Sequence, residues 1–200
     1  MPRPPNPTLN APRSRFNTIL KVIASLGASL FAGMYLFTAL LRITYPYDLD
    51  FVEDSLLMQA LRHAQGLPVY VPPNAEFMPH VYMPLYMWLG GLLLAITGPG
   101  YAPLRLLSFA ATLATAALLG GIARRESGQT WIGLACAGLY LGGYRITGFW
   151  YELARVDSLY VALTLAGLVI GFYRGRSLRG AVPAEAPTTS QRPSIDTLTP

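Results

Sequence analysis

Charge is scarce in this chain: charged residues fill 12% of its 200 positions and hydrophobic ones 52%, whereas an ordinary soluble domain is about a quarter charged. Cysteine is scarcer still. Cys136 stands alone inside an apolar block, which excludes an internal disulfide and any CxxC metal spacing and reads as a small packing residue. The two histidines, His63 and His80, have no ligand partner at i+3 or i+4, so neither begins a recognisable metal site. No P-loop, nucleotide-binding glycine fingerprint or GxSxG elbow is present. The net charge of +5 does not indicate nucleic acid as a partner, because no basic stripe interleaves with aromatics. The basic residues sit instead at the edges of apolar blocks, as topology signals do.

What is there is a series of long apolar blocks. Residues 1–15 are rich in Pro, Arg and Asn and are expected to be a disordered cytoplasmic terminus. From Ile19 to Leu41 the only charge is Lys21. This run is too long for a signal-peptide core and lacks a small-residue cleavage site, so it reads as an uncleaved signal anchor. Further blocks cover roughly 83–97, 104–123, 130–149 and 156–173. The first of these is short, begins at Pro84 and ends in Gly98-Pro99-Gly100. Its length reaches only about 23 Å as a helix, against a hydrocarbon core of about 30 Å.

The distribution of basic residues decides whether that block crosses. If it does not, Arg3, Arg13, Arg15, Lys21, Arg124, Arg125, Arg174, Arg176, Arg179 and Arg192 share the cytoplasmic side, leaving Arg42, Arg62, Arg105, Arg145 and Arg155 outside. If it does, the split is nearly even. The positive-inside rule favours the first arrangement. The expected fold class is therefore an all-α membrane protein with about four transmembrane helices, near 19–41, 104–123, 130–149 and 156–173. Residues 16–173 form its membrane domain, in a plasma or inner membrane with the N-terminus cytoplasmic. Residues 42–103 form an outer loop with amphipathic juxtamembrane helices near 52–64 and 83–97, and 174–200 form a largely disordered cytoplasmic tail rich in Pro, Ser and Thr.

The helix at 52–64 is predicted from Val52, Leu56, Ala60 and Ala64 at i, i+4 spacing beside Leu57 and Leu61, with Glu53, Asp54, Gln59, Arg62 and His63 on its other faces. Such a helix suits a membrane surface, and Gly66 and Pro68 end it. Within the later blocks, Gly138 and Gly142 form a GxxxG step that allows close helix contact. The aromatics Tyr82, Tyr86, Trp88, Trp150 and Tyr151 fit an interfacial belt.

Two clusters could carry chemistry. In YPYDLDFVED, Asp48, Asp50, Glu53 and Asp54 crowd four carboxylates just beyond the first block. They are either a solvated loop that helps set topology or the source of a general base. In YELARVD, Arg155 and Asp157 sit at the outer mouth of the last block, and Arg105 begins the second block on the same side. Arginine forks suit phosphate; the alternative is interfacial anchoring by snorkelling. Nothing in the sequence requires a cofactor, and no metal-ligand set is evident, although a divalent ion stays open.

These motifs have an order. A single anchor is followed by Phe51-Val52-Glu53-Asp54, then a helix ending at Gly66 with Tyr70-Val71-Pro72, then Val81-Tyr82-Met83-Pro84-Leu85-Tyr86. Gly100 with Arg105-Leu106-Leu107-Ser108 comes next, and Leu153-Ala154-Arg155-Val156-Asp157-Ser158-Leu159 last. From about Phe16 to Tyr173 this resembles the amino-terminal portion of GT-C membrane glycosyltransferases of the family 39 kind, which include protein O-mannosyltransferases and the aminoarabinose transferases of lipid A. The resemblance implies a polyprenyl-phosphate sugar donor, chemistry on the outer face, and a catalytic acidic residue in the first outer loop. Carried over by position, Glu53 or Asp54 would be the base. Arg105 would sit near the donor or buttress the loop, and Arg155 and Asp157 would line the second outer loop. Many relatives read Asp-Glu where this chain reads Glu-Asp, so the order leaves open which acid is the base. Such enzymes also carry many more spans, which implies an amino-terminal part or a truncated product. The other reading is a non-catalytic accessory protein that packs against a partner membrane subunit.

Overall fold

The structure is a computed structural model that describes the backbone of residues 11–75 and 77–181, and the side chains of 15–75 and 77–176. It is built from helices: α1 (Ala11–Ile43), α2 (Phe51–Ala64), α3 (Leu85–Thr97), α4 (Tyr101–Ser127), α5 (Thr130–Gly142), a 3-10 turn (Gly143–Arg145) and α6 (Val156–Ala181). No strand occurs among the described residues. Three segments, Arg15–Ile43, Tyr101–Ser127 and Val156–Arg176, are long and apolar enough to cross a membrane. Only 11% of the most apolar window of the first and last is buried within the chain, so these surfaces require an apolar environment, and this is a membrane protein. The chain divides into two compact units, Met1–Ala166 and Gly167–Pro200. The second contributes the described helical residues from Gly167 to Ala181, with Arg176 over the Phe172 ring at 5.4 Å.

The expected disorder at the two ends is corrected where the ends are described. Helix begins at Ala11, and α6 continues past Arg174 to Ala181. Residues 1–10 and 182–200 lie outside the described residues. The expected third span, 130–149, is also shorter as a helix. α5 has 13 residues, about 20 Å at 1.5 Å per residue, and is followed by the 3-10 turn. Gly148 and Phe149 then both take positive φ, 72° and 65°. The apolar run continues, but the regular helix does not.

α5 nevertheless returns the chain alongside α1 and α4. Gly138 makes this approach close: a Cβ there would lie 2.4 Å from the Ala28 Cα. Without a hydrophobic driving force inside a bilayer, such contact between small residues is a main source of helix association. Tyr35, Ala39, Ala116, Leu141 and Tyr144 form the buried cluster above it.

The short helices form a second packed layer. Asp50 caps α2 by accepting from the Val52 N–H at 2.9 Å, which satisfies one of the donors orphaned at a helix start. α3 is a 13-residue apolar helix, shorter than the three long segments. It lies directly against α2, where a Cβ on Gly91 would fall 2.8 Å from the Ala60 carbonyl oxygen. Val52, Leu56, Ala60, Tyr86, Met87, Leu94 and Leu104 close this core. The polar face expected for α2 is corrected in part: Glu53 and Gln59 are both fully buried, Glu53 against Arg105 of α4 and the Ala154 amide and Gln59 donating to the His80 carbonyl before α3.

Candidate functional site

One arginine assembles the end of the bundle where α1 finishes and α4 begins. Arg105, on the first turns of α4, is fully buried. Its Nη1 donates to the carbonyls of Arg42 (2.9 Å) and Tyr45 (2.6 Å) at the end of α1, and its Nη2 to the carbonyl of Tyr47 (2.7 Å). Its Nε and Nη2 grip the Glu53 carboxylate at 2.9 and 2.6 Å. All five guanidinium N–H bonds are thereby used.

Glu53 is as completely engaged. Its Oε1 also accepts from the Ala154 N–H at 2.7 Å, and its Oε2 from the Leu49 N–H at 2.7 Å. Four donors saturate one buried carboxylate, and together the pair fastens the end of α1 and the start of α2 to the first turns of α4 and the segment before α6. Two roles expected from the sequence are corrected here. Glu53 has no accessible lone pair with which to take an acceptor's proton, and Arg105 has no N–H left for a phosphate. Arg105 buttresses the loop.

The segment before α6 is held just as closely. Ser108 donates to the Arg155 carbonyl at 3.1 Å. Thr112 and Ser158 donate to the Tyr151 carbonyl, each at 2.8 Å. Tyr86, expected in an interfacial belt, is instead 2% exposed and donates to the Leu104 carbonyl at 3.0 Å. Tyr151 stacks on Tyr140 at 4.8 Å. Trp88 and Trp150 remain on the surface.

Of the other predicted residues, Asp48, Asp54 and Asp157 face solvent on a rim around this knot, whereas Arg155 is itself buried. Asp54 is exposed and accepts a hydrogen bond from the Tyr101 hydroxyl. Asp48 is exposed. Asp50 caps α2 and also receives Arg155 Nη1 at 3.1 Å. Arg155 Nε bonds Asp157 at 2.9 Å, and its guanidinium lies 4.0 Å from the Trp150 ring centroid. The side chain of Asp157 is half-exposed, in the first turn of α6 where the helix dipole favours it.

An apolar groove of about 330 Å³ opens beside this rim, lined by Tyr82, Leu85, Leu159, Tyr160 and Leu163, with Asp157 supplying its one charge. Among the described residues, no three His, Cys, Asp or Glu side chains group to hold a metal ion.

Sequence reasoning did not single out Glu152. It is fully buried, with Arg42 Nη1 2.5 Å from its Oε1, yet neither carboxylate oxygen accepts a hydrogen bond of normal geometry. Burial pushes its carboxyl up from the ordinary range, while Arg42 opposes the rise. A glutamate inside the aromatic and apolar run Phe149–Val156 was the available signal. Its partner, 110 positions earlier, was not legible. Tyr101 was likewise overlooked as a residue that touches the acidic loop.

No family profile, curated protein or solved structure matches this chain.

Proposed function

We propose that this chain transfers a sugar from a polyprenyl-phosphate donor to an acceptor on the extracytoplasmic face of a cell membrane, with Asp54 as the base. The observation that carries this reading is the division of labour between neighbours: Glu53 is saturated and buried, whereas Asp54 stays exposed one helical turn from Asp50, the partner of Arg155. The order of motifs that resembles GT-C glycosyltransferases supports the same assignment. The groove beside Asp157 suits an isoprenoid chain. Arg155 would hold the phosphate, exchanging the half-exposed Asp157 for it. In the reaction, the acceptor's O–H or N–H proton passes to Asp54 as its lone pair attacks the anomeric carbon. The bond from that carbon to the phosphate oxygen breaks, and the electron pair leaves with the lipid phosphate, whose charge the guanidinium stabilises.

The topology that goes with this function has four crossings, α5 with its 3-10 turn and the following loop completing the third. Arg42, Arg105 and Arg155 meet at one end of the bundle, and the basic residues Arg124 and Arg125 lie at the far end of α4. Positive-inside bias favours a cytoplasmic N-terminus.

The test is Asp54→Asn in membrane vesicles supplied with radiolabelled polyprenyl-phosphate sugars. Transfer should fall at least about 100-fold with insertion and thermal stability unchanged. Undiminished transfer would remove Asp54 from the reaction.

The second reading, an accessory protein, has its own support. Gly167, Gly171 and Gly175 repeat at four-residue intervals on α6 with open space at each Cα, a surface suited to a partner helix. Co-purification of another membrane subunit, lost in Gly171→Leu, together with no transfer in any donor assay, would favour it.

A further inference from the structure

Asp54 sits on an exposed helix turn, where a carboxylate would ordinarily sample several rotamers. A base works only when held within hydrogen-bond reach of the proton it takes. Its holder is on another helix. Tyr101 is the first residue of α4; its hydroxyl donates to Asp54 Oδ1. The Tyr101 ring is itself fixed, with the Arg105 guanidinium 4.9 Å from its centroid. That guanidinium is immobile because Glu53 and the carbonyls of Arg42, Tyr45 and Tyr47 use all its donors. A chain of contacts thus runs from the buried ion pair through one aromatic ring to the exposed carboxylate.

We propose that Tyr101 is the positioning residue of Asp54: the saturated Glu53–Arg105 pair sets the ring, and the ring's hydroxyl sets the carboxylate. This rests on the reading of Asp54 as the base. The hydroxyl occupies Oδ1 and leaves Oδ2 to accept the acceptor's proton. The fully buried pair, which looked catalytic in the sequence, serves the reaction through Tyr101. Tyrosine suits the task because phenylalanine would keep the stacking and lose the donor, while serine would keep a donor and lose both reach and stacking.

Tyr101→Phe tests this in the full chain in lipid nanodiscs, because it removes one oxygen and keeps the ring. The first readout needs no substrate. Carbodiimide coupling of glycine ethyl ester to Asp54 at neutral pH, followed by mass spectrometry, should run several-fold faster in the variant, with coupling to Asp157 and the melting temperature unchanged. An unchanged Asp54 rate overturns the proposal. The second readout is transfer from a polyprenyl-phosphate hexose: kcat should fall about tenfold with KM unchanged. Faster coupling with unchanged kcat also overturns it, since Tyr101 would then hold Asp54 without serving turnover. If Asp54→Asn still transfers sugar, the assignment of the base fails and the positioning role falls with it, whereas the coupling rate still reports the contact. Should Tyr101→Phe fail to insert, Asp54→Asn carries the test in reverse: nitration of Tyr101 by tetranitromethane should rise several-fold, and an unchanged rate would overturn the contact.

Discussion

Glu53 and Asp54 are adjacent, carry the same charge and share the first turn of one helix, yet they live in opposite settings. Glu53 receives two bonds from a guanidinium and two from backbone amides, with no solvent. Asp54 is exposed and receives one bond from a phenol. The arginines divide the same way. Arg105 is locked by five bonds, whereas Arg155 lies between Asp50 and the half-exposed Asp157. The knot is built to resist exchange and the rim to permit it. A buried pair is costly to form and costlier to break singly, because the survivor keeps an uncompensated charge. Arg155 is itself largely enclosed with Asp50, and what sets it apart is that it also shares the half-exposed Asp157, the partner that solvent or a ligand can replace.

The sharpest way to break this comparison is to halve the knot. Glu53→Gln and Arg105→Met should each destabilise the protein by about 3–5 kcal/mol, read as a large fall in melting temperature in detergent. The losses should be strongly non-additive in the double variant, since removing the second partner takes away the stranded charge. A loss under about 1 kcal/mol for either single change would mean that the pair behaves as a surface ion pair, and the contrast with the rim would collapse. Arg155→Gln leaves Asp50 still capping α2 and Asp157 in water, so it should lower the melting temperature by less than either change at the knot. It should raise the KM for a polyprenyl-phosphate donor about tenfold, equivalent to about 1.4 kcal/mol. Equal effects on stability at Arg155 and Arg105 would erase the distinction from the other side.

Much of the fold was legible because membrane helices are written in composition. The apolar runs at α1, α4 and α6 stand out by length, and the brevity of the 83–97 block foretold the short α3. What could not be read was pairing across distance. Glu53 looks like a solvent-facing residue from its neighbours alone; its burial follows from Arg105, 52 positions later, and from the Ala154 amide, 101 positions later. Hydropathy also measures how long a run stays apolar, not whether its helix stays intact. The 130–149 block therefore concealed the break at Gly142–Gly143 and the positive φ at Gly148 and Phe149. The four carboxylates stand close together, but a cluster does not disclose that one member caps a helix, one anchors the bundle and two face outward.

Glu152 tests whether the contrast is truly between buried and exposed, because it is buried like Glu53 but poorly partnered like neither. Arg42 touches it without a well-formed hydrogen bond, and both oxygens go unsatisfied. Burial raises its carboxyl above the ordinary value of about 4.5, so between that value and its raised folded-state value the native chain holds more protons than the unfolded one. Stability must then fall as pH rises through that window, opposite in sign to a well-paired acid. Glu152→Gln removes this term. The difference in melting temperature, wild type minus variant, should decline by a few degrees as pH is raised from below 4.5 toward neutrality, the smallest of these effects. A difference that instead grew with pH would show that Arg42 more than repays the desolvation of Glu152, which would place it with Glu53 as a second fastening point of the bundle.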